Sequence, residues 1–259
     1  IIGQKGTGVD VIDIGLAGTE EMYWAVTEFD ACAGIEVTAS HNPINYNGMK
    51  ILKSGSRPLD DAGDFQVIKS LAGSQEWASV ENVGNEFDRS GVARKAYVDH
   101  VLSFVDVKAL RPLKIVVISG NGAAGPTFDA LAERLLALGA PLEFIRVHHT
   151  PDSTFPNGIP NPLLPENHSA TADVVKAKAA DFGIAFDGDF DRCFFFDEAG
   201  QFVPGEYVVG LLASIFLDKE AGAKIVHDPR VIRNTQDIVA QKGGIAVQSK
   251  TGHAFIKQT

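Results

Sequence analysis

The sequence predicts an α/β protein built from repeated strand, loop and helix units. The clearest unit starts with the apolar run at residues 114–118, continues through a glycine-rich loop, and enters a helical pattern over residues 126–138. A fainter copy starts with a strand pattern at 224–226 and leads into a helix at 234–241, and a further strand of this style lies at 9–14. Because one unit recurs along the chain, we expect several similarly built domains.

The elements between these units follow from periodicity and turn residues. A β-branched run at residues 34–38 predicts a strand, a loop rich in Asn, Pro and Gly follows it, and residues 49–52 predict the next strand. Further along the chain we predict strands at 142–147, 182–186 and 193–196, an amphipathic helix near 170–180, and a core helix at 207–217.

Two domain boundaries divide these elements into three groups. The first boundary follows a polar stretch at residues 81–91, and the second follows the predicted strand at 193–196. We therefore predict domains at residues 1–93, 94–198 and 199–259. A chain of 259 residues permits two domains, or three if the outer ones are incomplete.

An acidic loop directly follows the predicted strand at 182–186. It places Asp187, Asp189 and Asp191 at alternate positions and Arg192 beside them. Three carboxylates this close repel one another, so keeping all three ionised requires a hard cation with oxygen ligands. We expect Mg²⁺, which completes its coordination with water or phosphate oxygens.

The same loop has a second interpretation as a calcium-binding module. With Glu198, the three aspartates fall at ligand positions of an EF-hand loop. Arg192 stands where that loop needs glycine, and the following residues predict a strand where an EF-hand has a helix. This module is a distant alternative.

Ser40 follows the β-branched run and precedes the irregular loop, so its hydroxyl is expected at a strand end. Alone, a Ser and a His in a turn are ordinary hydrogen-bonding residues. Adjacent side chains of an extended segment point in opposite directions, so we do not expect His41 to act as the base of a serine hydrolase. His41 is expected to shape the loop or contact phosphate.

The loop at residues 120–125 matches the dinucleotide fingerprint G-x-G-x-x-G between a strand and a helix. A nicotinamide-dependent oxidoreductase is therefore a second distant alternative. The acidic residue expected at the end of the next strand is missing, because Glu143 opens that strand and does not close it. Pro126 occupies the lysine position of a P-loop, which excludes that motif.

Composition bears on partners and compartment. A formal charge of −10 disfavours a nucleic-acid surface and a polybasic membrane contact. We expect the basic residues of the site to converge in one cleft. Cys32 and Cys193 are too few for a disulfide framework, are most simply buried packing thiols, and suit the reducing cytoplasm. No signal peptide is visible, although the chain starts without Met.

Three motifs together resemble the α-D-phosphohexomutase family, and most closely its bacterial phosphomannomutase branch. Residues 38–43 (Thr-Ala-Ser-His-Asn-Pro) look like the phosphoserine loop, and residues 187–192 look like the metal loop. Residues 250–253 (Lys-Thr-Gly-His) look like a sugar-phosphate contact segment, and residues 155–162 and 205–210 also read like this branch. The resemblance implies repeated three-layer α/β/α domains with mixed sheets, the outer ones incomplete.

The resemblance also implies a chemistry. Phosphate would move between the 6- and 1-positions of a hexose through a hexose 1,6-bisphosphate and phosphorylated Ser40. Mg²⁺ would be shared by Asp187, Asp189, Asp191 and Ser40. The other catalytic candidates are His41, Lys50, Arg192 and His253, with Lys50 and His253 either transferring protons or acting as cationic contacts. The substrate-binding candidates are Arg230, Lys250, Thr251, Gly252 and His253.

Departures from the family pattern concern substrate and completeness. Phe190 stands where many members have glycine, and Arg230 stands where many have lysine, as in the mannose-directed branch. The N-terminal arginine segment, the sugar-recognition loop and the fourth domain are missing, so we expect a fragment. The implied enzyme is a cytoplasmic phosphomannomutase, monomeric or homodimeric, acting on a small hexose phosphate. Phosphoglucomutase or a dual enzyme is the alternative.

Overall fold

The computed structural model describes residues 1–60, 62–74, 80–252, 255–256 and 259. Twelve strands lie within those residues: β1 Val11–Asp13, β2 Ala33–Val37, β3 Met49–Lys53, β4 Arg57–Pro58, β5 Glu86–Asp88, β6 Leu113–Ile118, β7 Leu142–Val147, β8 Phe182–Phe186, β9 Cys193–Phe196, β10 Phe202–Val203, β11 Lys224–His227 and β12 Ile245–Gln248.

The same part of the chain contains eight α-helices and three short 3-10 turns. The helices are α1 Ile2–Lys5, α2 Thr19–Glu28, α3 Asp64–Ser74, α4 Ser90–Leu102, α5 Ala124–Ala137, α6 Ser169–Lys178, α7 Gly205–Lys219 and α8 Arg233–Gln241. The predicted strands and helices are confirmed, with ends that move by up to two residues. None of the described helices is both long and apolar enough to cross a bilayer.

A five-stranded mixed sheet forms the central layer, in the order β10-β9-β8-β6-β7. β6 pairs in parallel with both β7 and β8, whereas β9 pairs antiparallel with β8 and with β10. Side chains alternate across β6: Val116 and Ile118 pack beneath α6, and Ile115 and Val117 pack beneath α5. Helices on both faces make three α/β/α layers, which confirms the predicted fold class.

The N-terminal part has an antiparallel sheet, β2-β3-β4, and a separate parallel pair, β1 with β5. α2 packs on the antiparallel sheet through Met22, Tyr23 and Val26, which form a buried cluster with Leu52 of β3. It approaches so closely that a methyl group at Gly34 would lie 2.4 Å from a Val26 side-chain carbon. Gly34 therefore permits this packing, and alternation directs Glu36 toward the helix as well.

In the C-terminal part, β11 and β12 form a parallel pair with α7 and α8 packed on it. The predicted domain division stays a prediction. Both cysteines are free and exposed, so the expectation of buried packing thiols was wrong. Cys32 lies in the turn between α2 and β2, and Cys193 opens β9. Although Cys193 is exposed as a residue, burial of its thiol raises the pKa of that thiol to about 12.

Candidate active site

Four segments from distant parts of the sequence meet at one place. They are the loop after β2, the start of β3, the first turn of α2, and the acidic loop between β8 and β9. The acidic loop leaves the carboxyl end of β8, which is where α/β sheets commonly carry their ligand sites. Ser40, His41, Lys50, Asp187, Asp189, Asp191 and Arg192 are thereby brought together.

The three aspartates have ligand atoms within 4.8 Å of one another. Asp187 and Asp189 are buried, with 0% and 3% of their surfaces exposed. Burial raises the pKa of Asp187 to about 6, against the opposing charge of Arg192. Burial also acts on Asp189, but the hydrogen bond and charge of Lys50 outweigh it and leave the pKa of Asp189 below its usual value.

The aspartate cluster fits a hard metal ion. Asp189 Oδ1 is buried and has no hydrogen-bond partner among the described residues. An unpartnered buried carboxylate oxygen is costly, and a cation ligated by that oxygen removes the cost. The donors are all carboxylate oxygens, which are the ligands that Mg²⁺ and Ca²⁺ prefer.

Ser40 lies in the left-handed backbone region with a φ of 53°. Its hydroxyl donates to Asp187 Oδ2 at 3.2 Å and lies 3.1 Å from His41 Nδ1. The expectation that the Ser40 and His41 side chains diverge was therefore wrong, because the segment is not extended at Ser40. Non-glycine residues are uncommon in this region, so the loop holds Ser40 in a strained conformation.

Arg192 links His41 to the acidic loop. Its Nε and Nη2 atoms donate to Asp187 Oδ2 at 2.8 and 2.5 Å, and Nη2 also donates to His41 Nδ1. Burial and the adjacent Arg192 charge lower the pKa of His41. His41 is thus a neutral acceptor, and Arg192 lies 3.5 Å from the Ser40 hydroxyl.

Lys50 lies on the other side of the cluster. Its Nζ donates to Asp189 Oδ2 at 2.7 Å, to Asp191 Oδ2 at 2.9 Å and to Thr19 Oγ1 at 2.6 Å. Burial lowers the pKa of Lys50, but the hydrogen bonds and charges of Asp189 and Asp191 outweigh burial and leave the pKa raised. The geometry favours the cationic role over proton transfer for this side chain.

The site also contains three polar side chains that were not predicted as site residues from the sequence. Thr38 Oγ1 donates to Asp189 Oδ2 at 3.0 Å and accepts from the Ser40 backbone N–H at 2.8 Å. Thr19 Oγ1 donates to Glu36 Oε2 at 2.8 Å. Thr38 lies beside the phosphoserine-like motif and was open to detection, whereas Thr19 and Glu36 carry no sequence signal because only the packing of α2 on β2 joins them.

The glycine-rich loop at 120–125 supports the acidic loop from behind. The Ala123 backbone N–H donates to the Gly188 carbonyl at 2.9 Å. A methyl group at Gly122 would lie 2.5 Å from that carbonyl oxygen, and a methyl group at Gly188 would lie 2.3 Å from the Ser40 carbonyl oxygen. The fingerprint glycine Gly122 thus serves backbone packing between loops, which gives the dinucleotide interpretation no support.

The remaining predicted residues lie elsewhere. Arg230 is 70% exposed at its side chain and pairs with Asp228, and Lys250 Nζ lies 5.8 Å from the Phe255 ring centroid. Thr251 and Gly252 follow Lys250, and His253 lies outside the described residues. Within the described chain, no hydrogen bond or ion pair joins Arg230 or Lys250 to the aspartate cluster, so their substrate roles stay predictions.

Family sequence profiles match two long parts of the chain. Residues 2–76 match "Phosphoglucomutase/phosphomannomutase, alpha/beta/alpha domain I", and residues 95–200 match domain II of the same family. The chain belongs to the phosphoglucomutase/phosphomannomutase family. Both the Ser40 loop and the acidic loop lie within the matched residues.

Relatives within the phosphoglucomutase/phosphomannomutase family extend the similarity over 99% of the chain. The "Phosphomannomutase" of Salmonella montevideo is 55% identical over 256 residues, and that of Escherichia coli strain K12 is 54% identical. A "Phosphohexose mutases" protein of Xanthomonas campestris is 51% identical. The chain spans 56% of the length of each of these relatives.

A solved phosphoglucomutase/phosphomannomutase family protein from Burkholderia thailandensis has the same fold. It superposes with a TM-score of 0.85 at 31% identity, over 99% of this chain and 55% of that one. A structure titled putative phosphomannomutase from Thermus thermophilus gives a TM-score of 0.82 at 24% identity, over 98% of this chain and 57% of that one, which supports the fold alone.

Proposed function

We propose that the chain carries the phosphoryl-transfer centre of a phosphomannomutase, which interconverts mannose 6-phosphate and mannose 1-phosphate. The observation that carries this proposal is the 3.2 Å contact between the Ser40 hydroxyl and Asp187, in a cluster of three aspartates. A hydroxyl beside a site for a hard cation is suited to accept and return a phosphoryl group. The relatives named phosphomannomutase support the choice of reaction.

In the proposed reaction, the bond between phosphorus and a hexose oxygen of a hexose 1,6-bisphosphate breaks while a bond to Ser40 Oγ forms. The Ser40 proton passes to Asp187 Oδ2, to which the hydroxyl already donates, and the leaving hexose oxygen takes up one proton from water in exchange. The reverse transfer to the other hexose oxygen completes the exchange. Positioning and charge neutralisation supply most of the catalysis in such reactions.

Asp187, Asp189 and Asp191 would hold Mg²⁺, with Ser40 as a further ligand. The ion, when bound, would neutralise charge on the phosphoryl group and on the aspartates. Arg192 presents a planar guanidinium 3.5 Å from the Ser40 hydroxyl, where it can contact a phosphate. Lys50 supplies a second positive charge on the opposite side of the cluster.

Mannose is the proposed sugar, and a dual phosphoglucomutase and phosphomannomutase is the second candidate because a relative named "Phosphohexose mutases" is 51% identical. Arg230, Lys250, Thr251, Gly252 and His253 are proposed sugar-phosphate contacts. The proposed partner is a small hexose phosphate, and the proposed location is the cytoplasm, which suits two free, exposed cysteines.

Peptide mass spectrometry after incubation with Mg²⁺ and mannose 1,6-bisphosphate tests the phosphoserine. We expect phosphate on Ser40 in the wild-type chain, none at this position in Ser40→Ala, and none without Mg²⁺. Ser54→Ala, which removes an exposed serine outside the site, is the matched control and should keep the phosphate. A wild-type chain that binds Mg²⁺ by calorimetry but takes no phosphate at Ser40 overturns the proposed function.

A further inference from the structure

Among the residues that the structure describes, Lys50 has one hydrogen-bond partner outside the aspartate cluster. An ammonium group carries three N–H donors, and here two reach Asp189 and Asp191 while the third reaches Thr19 Oγ1 at 2.6 Å. The Thr19 hydroxyl has a single proton, which it donates to Glu36 Oε2 at 2.8 Å. The hydroxyl lone pairs are therefore turned toward Lys50.

The fold places Glu36 in this chain of hydrogen bonds. Glu36 and Lys50 are directly opposed on β2 and β3. Alternation along β2 exposes Ile35 and Val37 and turns Glu36 toward α2. Thr19, the first residue of α2, is fully buried between the two side chains, so water cannot replace its hydroxyl.

We propose that Glu36 is a positioning residue for Lys50 and acts through the hydroxyl of Thr19. The inference rests on the proposed function, because Lys50 matters there as the second cation of the phosphoryl-transfer centre. Asp189 and Asp191 are shared between Lys50 and the proposed metal ion, whereas the link through Thr19 belongs to Lys50 alone. Glu36 fixes the direction of that link and so keeps the ammonium beside the cluster when a cation is bound.

The surroundings of Glu36 give the inference a pH signature. Thr19 contacts it from α2, Lys50 faces it from β3, and the charges of Asp189 and Asp191 act on it from the acidic loop. Its carboxylate charge also acts on Tyr23 of α2. Burial raises the pKa of Glu36 to about 7, which the Thr19 hydrogen bond and the Lys50 charge oppose. Glu36 therefore changes charge near neutral pH.

The first test follows the rate of Ser40 phosphorylation against pH. We expect the wild-type rate to rise as Glu36 ionises near pH 7. Glu36→Gln should lack this rise and be about 10- to 100-fold slower at pH 8, the fold-change that corresponds to losing a hydrogen bond that involves a charged group. Thr19→Val should behave like Glu36→Gln, whereas Glu36→Asp and Thr19→Ser should restore part of the rate and the rise.

Glu28→Gln, an exposed change at the end of the same helix, is the matched control and should leave the profile unchanged. A Glu36→Gln profile that keeps the wild-type rise near neutral pH contradicts the positioning role, because a merely structural loss would lower the rate without removing an ionisation.

The second test needs no phosphoryl transfer. The ¹⁵N resonance of Lys50 Nζ, assigned by its loss in Lys50→Arg, should shift with an inflection near pH 7 in the wild-type chain and stay flat in Glu36→Gln and Thr19→Val. A Lys50 signal that is flat in wild type, or identical in Glu36→Gln, overturns the inference. Absence of phosphate at Ser40 with an intact Lys50 inflection would overturn the proposed function alone.

Discussion

The two carboxylate oxygens of Asp189 have opposite surroundings. One of its oxygens accepts from Lys50 and Thr38, and the other is buried without a hydrogen-bond partner in the described part of the chain. Such a carboxylate is stable beside a cation and costly without one. Its unpartnered oxygen is accordingly the atom with most to gain from a metal ion.

We predict that Asp189→Asn weakens Mg²⁺ binding by at least about tenfold, because it removes one of the charges that hold the ion. Isothermal titration calorimetry measures the affinity. Asp173→Asn, an exposed aspartate on α6, should bind as the wild type does. Equal affinities for Asp189→Asn and wild type would show that the ion binds elsewhere.

Glu36 gives a second prediction at this scale, on stability. Its folded pKa, about 7, lies above the usual 4.5, so between these values the folded chain holds a proton that the unfolded chain has lost. Stability from this proton is complete below pH 4.5 and is lost as pH rises through 7.

Each pKa unit is worth about 1.4 kcal/mol, and partial solvent exposure reduces the total for Glu36 to about 2 kcal/mol. Relative to Glu36→Gln, the wild-type chain should therefore lose about this much free energy of unfolding between pH 5 and pH 8. Urea denaturation at both pH values measures it. A constant difference between the two proteins would contradict the assigned pKa.

The sequence alone predicts some residues and contacts of the site but not others. The aspartates and Ser40 were predictable because charge spacing and turn composition are local properties. The contact of Ser40 with His41 was not, since it depends on a left-handed φ at a non-glycine residue. Thr19 and Glu36 were also beyond reach, because their contact depends on strand register and on the seating of a helix.

At the scale of secondary-structure elements, the site is formed by three loops whose backbones are in direct contact: the glycine-rich loop, the acidic loop and the Ser40 loop. The glycine-rich loop contacts the acidic loop at Gly122, and the acidic loop contacts the Ser40 loop at Gly188. Neither contact leaves room for a methyl group. The positions of the proposed nucleophile and of the metal ligands are therefore set by the separation of three backbones.

We predict that Gly122→Ala lowers the free energy of unfolding by about 1 to 3 kcal/mol, the usual cost of overpacking, and also weakens Mg²⁺ binding. Urea denaturation and calorimetry measure the two effects. Gly91→Ala is the matched control, since a methyl group there meets nothing within 4 Å and lies in α4. An unchanged Mg²⁺ affinity in Gly122→Ala would mean that the loops move independently.

Much of the element structure was predictable. The strand at 114–118 and the helix at 126–138 became β6 and α5, because apolar periodicity and glycine punctuation identify buried α/β units. Strand order was not predictable from periodicity: β8 pairs with β6 and β9 turns back antiparallel. Because β6 and β8 are parallel neighbours, the acidic loop after β8 lies beside the glycine-rich loop after β6, at the carboxyl ends of the two strands.

At the scale of the whole molecule, the site joins the N-terminal sheet to the central sheet. Lys50 lies on β3 and Ser40 in the loop after β2 of the N-terminal sheet, whereas the aspartates lie in the loop between β8 and β9 of the central sheet. Glu21, which is 4% exposed, adds a second link by accepting from Thr127 of α5 at 3.0 Å. A ligand at the site is expected to stabilise both sheets at once.

We predict that Mg²⁺ slows backbone hydrogen exchange in residues 38–48 as well as in residues 186–192. At about 100 times the dissociation constant, exchange that requires opening of the site should slow by about 100-fold. Mass spectrometry of peptic peptides measures it, with Asp189→Asn as the control, in which tenfold weaker binding should reduce the protection to about tenfold or less at the same Mg²⁺ concentration. Protection confined to 186–192 would contradict a shared metal site.

The net charge of −10 means that the chain as a whole repels an anionic sugar phosphate, so positive charge must be concentrated at the binding site. We expected five basic residues to converge in one cleft. Lys50 and Arg192 do lie on opposite sides of the aspartate cluster, whereas convergence of Arg230, Lys250 and His253 stays a prediction. Two cationic side chains beside three carboxylates leave a net negative charge at the site, which a bound metal ion would neutralise before an anionic sugar phosphate binds.

The hydrogen bond between Ser40 and Asp187 spans 147 residues of sequence. During synthesis, the ribosome must release the chain through Arg192 before Ser40 can contact Asp187 or Arg192. Contacts between residues so far apart in sequence form late in folding, because the chain must first lose the entropy of closing a long loop before the contact can stabilise it. A nascent chain that has made β2 and β3 still lacks its reaction centre, so chemistry at the serine is withheld until the central sheet is built.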